Sequence, residues 1–409
     1  MADYSVNLDL GFQMNPVSSL DFTRDPGASS IDSDRGICAS YKGRGLGAFI
    51  ARYCRSLRDA LGMRRMVRSV ILTIFLAVGM LLSSFGAMAD DGLGSSTTPY
   101  SFLEIPTSTQ AFGLGGVNIS TIDTDVTMAD QNPALLGPEI GMQLAVNYMH
   151  YLGSGNFAGV RYGMEHGERA AWACGIQFMD YGEFVRADEF GNTDGTFRPK
   201  DIELNGLYSH DFTDRLRGGI NIKMIVSSYE HYSALAFAAD LGLNYYDGEH
   251  DTSLSLVLKN MGGQVKRFDR AYNRLPFDIQ LGWTQGLGQS NFAISVTAWH
   301  LNRWKLPYYS HDDNGTSELK SSFASNLFRH LVFGVQYRPS DKFYIGLGYN
   351  YKTRTDMATY KRNFLSGFSL GANFKVKAWG FGVAYAMPHK NGSEIMINIS
   401  SELSELLRR

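Results

Sequence analysis

The sequence predicts an all-β protein: an antiparallel barrel of about fourteen strands that crosses a membrane, preceded by a short segment folded into its lumen. Three observations predict it: a period-two alternation of apolar and small or polar residues from Met142 onward, connections that are long at one end and short at the other, and an export signal ahead of both. The 44 glycines, 22 tyrosines and 25 phenylalanines agree with a sheet protein, since aromatics favour strands and no long apolar run follows Ala89.

The export signal comes first. Arg64, Arg65 and Arg68 precede the apolar run Val70 to Leu82, and Ala87-Met88-Ala89 follows it. That is the basic, apolar and small-x-small layout of a secretory signal peptide, with Ala87 and Ala89 at the cleavage site and Asp90 the expected first mature residue. The run is shorter than the roughly 20 residues that span a bilayer, which sets it against the competing reading of a signal anchor. Residues 63–89 therefore read as the signal peptide and 1–62 as an upstream extension translated by mistake, with Met63 or Met66 the start. Of the three cysteines, Cys38 and Cys54 precede the signal, so the exported chain keeps Cys174 and has no internal disulfide. A net charge of −2 offers no basic surface for nucleic acid.

The strands follow. Met142, Leu144, Val146 and Tyr148 alternate with Gln143, Ala145 and Asn147. Leu235 to Tyr245, Phe292 to Ala298, Leu331 to Tyr337, Phe343 to Tyr351 and Ile395 to Ile399 repeat the pattern. About fourteen such segments begin near Met142, Asn156, Arg169, Lys200, Arg215, Ser233, Asp251, Pro276, Asn291, Phe328, Lys342, Phe364, Ala378 and Glu394. A periplasmic β-sandwich alternates too. The connections separate the two: Asp180 to Pro199, Met261 to Leu275, Asn302 to Leu327 and Thr353 to Asn363 are long. Asp211 to Asp214, Asp247 to His250, Leu287 to Ser290 and Arg338 to Asp341 are tight. Long loops on one end, with surface exposure expected there, and short turns on the other describe an outer-membrane barrel with both termini periplasmic. Tyr148, Tyr151, Tyr208, Tyr245, Tyr246, Tyr349, Tyr351 and Tyr385 lie near strand ends, as interfacial girdles require. The barrel is expected over 142–400, with a hatch or lead-in over 90–141 and a tail over 401–409.

Chemistry is sought in the same residues. No catalytic constellation is expected: Ser209-His210-Asp211 are chain neighbours, and alternate strand residues point to opposite faces. Gly113-Leu114-Gly115-Gly116 lacks the setting of a phosphate loop. His311-Asp312-Asp313-Asn314 could ligate calcium but lacks the spaced ligands of a calcium loop and reads as a solvated tip. No metal or cofactor is called for. Cys174 reads as a small packing residue. Asp240, Lys223, Lys375, Asp278 and Glu203 fall on the polar parity of their strands, either pairing with one another and the hatch or lining a pore.

Ala111-Phe112-Gly113-Leu114-Gly115-Gly116 followed by Gln131-Asn132-Pro133-Ala134-Leu135-Leu136 resembles the hatch of FadL-type outer-membrane proteins. The resemblance implies a fourteen-stranded barrel and makes Gly113, Gly115, Gly116, Asn132 and Pro133 hatch residues. Further segments are similar to the PorQ family, FadL-like barrels of the type IX (Por) secretion system. They are Tyr181-Gly182-Glu183-Phe184, Asp188 to Asn192, Gly195-Thr196-Phe197, Tyr232-Ser233 with Asp240-Leu241-Gly242, Leu275 to Gly282, His300 to Trp304 and Arg329 to Gly334. This likeness implies a non-enzymatic anchor for a PorZ-like surface protein beside PorU-like and PorV-like attachment proteins, among outer-membrane lipid and lipopolysaccharide. Tyr181, Phe184, Asp188, Phe197, Phe268, Tyr272, Trp304, Tyr308 and Tyr309 are then the loop residues expected to touch the partner. The alternative is a FadL-like passive channel for hydrophobic molecules. An apolar pocket behind the hatch with a lateral gap would favour the channel, and a packed lumen under an aromatic loop platform the anchor. The end of the chain departs from the pattern, because Ser-Glu-Leu-Ser-Glu-Leu-Leu-Arg-Arg follows Ser400 where such barrels commonly end on an aromatic residue.

Overall fold

A computed structural model describes residues 98–407, apart from 152, 188, 189, 191, 270, 271, 289, 307, 312–316, 321, 341, 357–364, 390 and 391. The signal peptide, Ala87, Ala89, Asp90, Asp188 and the tip at Asp312 lie outside the described residues.

Fourteen strands close into one antiparallel barrel. In chain order they are β1 (Gln143–His150), β2 (Asn156–Glu165), β3 (Ala170–Asp180), β6 (Lys200–Thr213), β7 (Leu216–Tyr229), β8 (Tyr232–Asp247) and β9 (Thr252–Lys266), then β10 (Asp278–Gly286), β11 (Phe292–Ala298), β14 (Leu331–Ser340), β15 (Phe343–Asn350), β16 (Phe368–Val376), β17 (Trp379–His389) and β18 (Gly392–Glu402). Closure is made by β1 on β18, running from Gln143↔Glu402 to His150↔Ile395. Two hairpins stand outside the wall, β4 (Phe184–Ala187) with β5 (Thr193–Phe197) and β12 (Tyr308–His311) with β13 (Ser317–Lys320). No described helix is long and apolar enough to cross a membrane, which says nothing of the strands.

The sequence parity holds strand by strand. Val146, Val160, Ile176, Leu204, Ile222, Phe237, Leu347 and Ile397 point outward and are exposed, while Ala145, Arg161, Gln177, Glu203, Lys223 and Asp240 face the lumen and are buried. The register lines the outward residues into rows around the wall. One row runs Tyr148, Ala158, Phe178, Ile202, Val226, Leu235, and the next Val146, Val160, Ile176, Leu204, Met224, Phe237. On β7 the apolar outward residues run from Leu216 to Val226, about 33 Å of strand at ~3.3 Å per residue. Tilted as barrel strands are, this makes a band close to the ~25 Å of hydrocarbon that an outer-membrane barrel spans. A wall apolar outside and polar inside inverts a soluble barrel, and a closed ladder leaves no unpaired edge to hydrocarbon.

Loop lengths are as asymmetric as expected, with every connection tight at one end. At the other end the turns after β1, β7 and β17 are tight as well, and the long loops follow β3, β9, β11 and β15. Strand starts differ by up to four residues at Leu331 and Phe368, where helices Phe323–Arg329 and Tyr351–Asp356 precede the wall. Ser401 and Glu402 still belong to β18, and a short helix, Leu403–Leu407, follows. The described ends do not share a side. Glu402 closes the barrel at the short-turn end, whereas Thr98 donates a hydrogen bond to the Arg274 carbonyl and Tyr229 donates one to that of Pro99, both at the long-loop end.

Candidate functional site

The lumen is filled by residues 98–141. The segment enters at the long-loop end, where Tyr100, Phe102 and Leu103 pack in one apolar cluster with Met149, Phe157, Met179, Ile225 and Met396. The short helix Thr109–Gly113, capped by the Ser108 side chain, then crosses to β16 and β17. Gly113 lies so close to Gly371 that a Cβ on it would sit 2.6 Å from the Gly371 Cα. The Gly115 amide donates to Ser369 Oγ at 2.9 Å, and Asn350 Nδ2 donates to the Gly115 carbonyl at 3.1 Å. Asn132 is wholly buried, donating to the Ile119 carbonyl at 2.9 Å, and Pro133 rests on Gly219 and Gly242. The expected hatch residues Gly113, Gly115, Asn132 and Pro133 are thus fixed in the lumen. Gly116, at φ +87°, has open space where its Cβ would be.

Polar pairs hold the hatch to the wall. Asp130 forms a buried ion pair with Arg161 of β2 and accepts from Thr107 Oγ1 at 2.6 Å, Gln177 Nε2 at 3.1 Å and Asn205 Nδ2 at 3.3 Å. Arg217 binds Glu139 at 2.8 Å and pairs with Asp211 at the short-turn end. Lys223 binds Asp240 at 2.8 Å and donates to Asn260 Oδ1 at 3.0 Å. Lys375 pairs with Glu402. Glu203 accepts from Asn205 Nδ2 at 2.8 Å and Asp278 from Gln280 Nε2 at 2.7 Å, so each charge expected on the lumen parity is paired or hydrogen-bonded. The sequence reading missed Arg161 and Asp130, although Arg161 carries the lumen parity of β2. Asp125, half-buried in the short-turn mouth, accepts from the Thr127 amide and Asn398 Nδ2, each at 2.9 Å; burial pushes its carboxyl up to about 6.

The wall is incomplete on one side. The ladder between β9 and β10 begins at Lys259↔Asp278, so β9 runs on to Lys266 with β8 alone beside it. Asn260, at φ 56°, bulges there, and its amide donates to Asp240 Oδ1 at 2.7 Å instead of to the ladder. The loop after β9 straps this seam: the Asn273 amide donates to Gln264 Oε1 at 2.7 Å, Asn260 Nδ2 donates to the Pro276 carbonyl at 3.0 Å, and Tyr272 lies over Gly263. Behind the seam, Leu103, Val117, Pro276 and Trp299 share a cleft with Lys259, Asp278 and Gln280. It is partly open to solvent and narrow enough to admit water but no larger molecule.

Several loop residues expected to meet a partner also make contacts within this chain. Tyr181 donates to Asp201 at 2.6 Å, Phe268 stacks on Tyr229 at 4.8 Å, Trp304 stacks on His330 at 5.0 Å and Arg329 lies over Tyr308. Phe197 packs on Phe184, which stays half exposed, as does Tyr272; Tyr309 takes its place on β12. Ser209 turns inward to the Leu136 carbonyl, while His210 lies beside Phe212 and Asp211 pairs with Arg217, so the three form no triad. Cys174 is exposed on the outward face, where the sequence reading had it packed. Asp247, Glu249 and His250 cluster at an exposed turn.

No protein-family profile matches the sequence, and no curated protein matches it. Solved structures do. The chain is similar to the Pseudomonas putida toluene transporter TodX, with 11% identity and a TM-score of 0.47 over 72% of this chain and 97% of that one. It is similar to the Ralstonia pickettii toluene transporter TbuX, with 12% identity and a TM-score of 0.44 over 73% and 97%. A Pseudomonas aeruginosa FadL homologue gives 12% and 0.44 over 72% and 98%. The strand ladder itself makes this chain a closed, fourteen-stranded antiparallel barrel plugged by its own N-terminal segment.

Proposed function

We propose that this protein passes small hydrophobic molecules across the outer membrane of a Gram-negative bacterium, with the hatch shifting locally and the β9–β10 seam as the side exit. One observation carries the reading: the ladder ends at Lys259↔Asp278 while β9 continues to Lys266, covered there by the loop after β9. An unbroken ladder would bar any lateral path, and an uncovered edge in hydrocarbon is costly, so a strapped seam is where a wall can open at least expense. TodX and TbuX are toluene transporters; the reading here rests on the seam. The test replaces Gly263 and Tyr272 with cysteine in a Cys174→Ser background and joins them with a short thiol cross-linker. Flux of a hydrophobic dye into proteoliposomes should fall tenfold or more on cross-linking, and unchanged flux removes the seam as the exit.

A second reading is an anchor for a surface partner, non-enzymatic and PorZ-like, as the sequence likeness to the PorQ family suggests. The observation in its favour is the β4–β5 hairpin, outside the barrel, with Phe184 48%, Val185 63% and Phe190 88% exposed.

A further inference from the structure

The apolar belt stops abruptly on one side of the barrel. Directly beyond the row Tyr148 to Leu235, the register sets Asn156, Asp180, Lys200, Ser228 and Ser233 side by side, all on the outward face. Lys266 of β9 stands opposite Leu235, one row nearer the short-turn end, and its side chain reaches across, Nζ donating to Ser233 Oγ at 2.6 Å. Lys200, Ser228 and Lys266 are exposed. Four neighbouring strands therefore present lysine, serine, serine and lysine side chains close together, with the two lysine backbones about 16 Å apart, three strand spacings of ~4.8 Å across and two residues of ~3.3 Å along. Lys200 makes no ion pair among the described residues, although Asp180 is its cross-strand neighbour. The nearby hairpin charges are engaged elsewhere, Arg186 with Glu230 at 2.8 Å and Arg198 with Glu183 at 3.8 Å.

We propose that the outward cluster of Lys200, Ser228, Ser233 and Lys266 binds the phosphate of an anionic lipid whose chains lie along β6 to β9. Charge and position argue together. The ammonium groups and hydroxyls are donors for phosphate oxygens, and Ile202, Val226 and Leu235, one row toward the short-turn end, offer the acyl chains an apolar surface. A headgroup at this level faces the row while its tails lie in the belt, so the donors are met by a lipid phosphate and not by the uncharged passengers of the proposed channel. The inference rests on the membrane-facing wall and stands whether the barrel is a channel or an anchor.

Native mass spectrometry of the full chain in detergent, with dimyristoyl-phosphatidylglycerol and dimyristoyl-phosphatidylcholine supplied equally, tests it. The wild type should retain the glycerol lipid in preference. Lys200→Gln with Lys266→Gln should cut that preference about tenfold, Lys200→Arg with Lys266→Arg should keep it, and Asp180→Asn should raise it. Equal retention of the two lipids, undiminished preference in the double Gln variant, or displacement of the lipid by inorganic phosphate overturns the proposal. Heat-modifiable migration reports folding. Should the double Gln variant fail to fold, Asp180→Asn and the wild type at raised salt decide, since a preference that neither changes is not electrostatic.

Discussion

Asp130 of the hatch and Arg161 of β2 are buried together in the lumen, with side chains 8% and 3% exposed. The carboxylate gathers the ends of three further donors, from Thr107, Gln177 and Asn205, so one residue ties the hatch to itself and to three wall strands. Asp130→Ala leaves the guanidinium buried with Asn205 as its remaining partner. Breaking one side of a buried pair costs about 3–5 kcal/mol, whereas replacing both with apolar residues is far milder. Protease digestion of the folded barrel should cut the hatch of Asp130→Ala at lower urea than the wild type, and Asp130→Leu with Arg161→Met should recover most of the loss. A hatch as resistant in Asp130→Ala as in the wild type would show that the pair holds nothing.

Leu347 and Gly348 are adjacent on β15 and face opposite solvents. Leu347 is 47% exposed on the outer wall, and arginine there, near the bilayer midplane, costs roughly 2–4 kcal/mol. Parity alone would make Gly348→Ser harmless. It is not, because a Cβ at Gly348 would lie 2.0 Å from the Gly115 amide nitrogen. Leu347→Arg should lose the heat-modifiable band. Gly348→Ser should keep it while the hatch becomes protease-sensitive. The two defects separate wall from plug, and identical behaviour would contradict the placement of the hatch against β15.

That contrast shows what the sequence could reveal. Strand parity is legible because the two faces meet different solvents, and a one-residue slip would put Asp240 and Lys223 into hydrocarbon. The path of residues 98–141 has no period. The closeness of Gly113 to Gly371 and of Gly115 to Gly348 arises between segments hundreds of residues apart in the chain, so nothing local announces it. The seam is equally silent, since Asn260 bulges through a bond from its amide to the Asp240 side chain. Loop aromatics such as Tyr181 and Trp304 look like contact residues from sequence, and their contacts with Asp201 and His330 within this chain carry no local signal.

Asp125 makes the hatch sensitive to pH. Its carboxyl is raised to about 6 by burial, above the ~3.9 of a free aspartate. The folded hatch therefore holds this proton more tightly than the released one does. Its contribution is fully present below about pH 4 and is lost as pH rises through about 6. Asp125→Asn keeps an oxygen for the Thr127 amide and cannot ionise. Hydrogen exchange of the amides of Val126 to Asp130 should quicken between pH 4 and 7 in the wild type beyond the intrinsic rate, and that excess should vanish in Asp125→Asn. An excess that survives the substitution assigns the pH response to another group.

The hairpin β4–β5 offers the sharpest test of anchoring. It adds no strand to the barrel ladder, so replacing its exposed apolar residues should leave the wall intact. Phe184→Ser, Val185→Ser and Phe190→Ser together should preserve heat-modifiable migration and flux of the hydrophobic dye. If the hairpin seats a surface partner, these three residues supply its apolar centre, and aromatic side chains commonly carry 2 kcal/mol or more each at such positions. A partner cross-linked to the wild type at the cell surface should then dissociate at least tenfold more readily from the variant, which corresponds to about 1.4 kcal/mol. Undiminished retention in cells with equal barrel levels would take the contact away from this hairpin and count against the anchor reading.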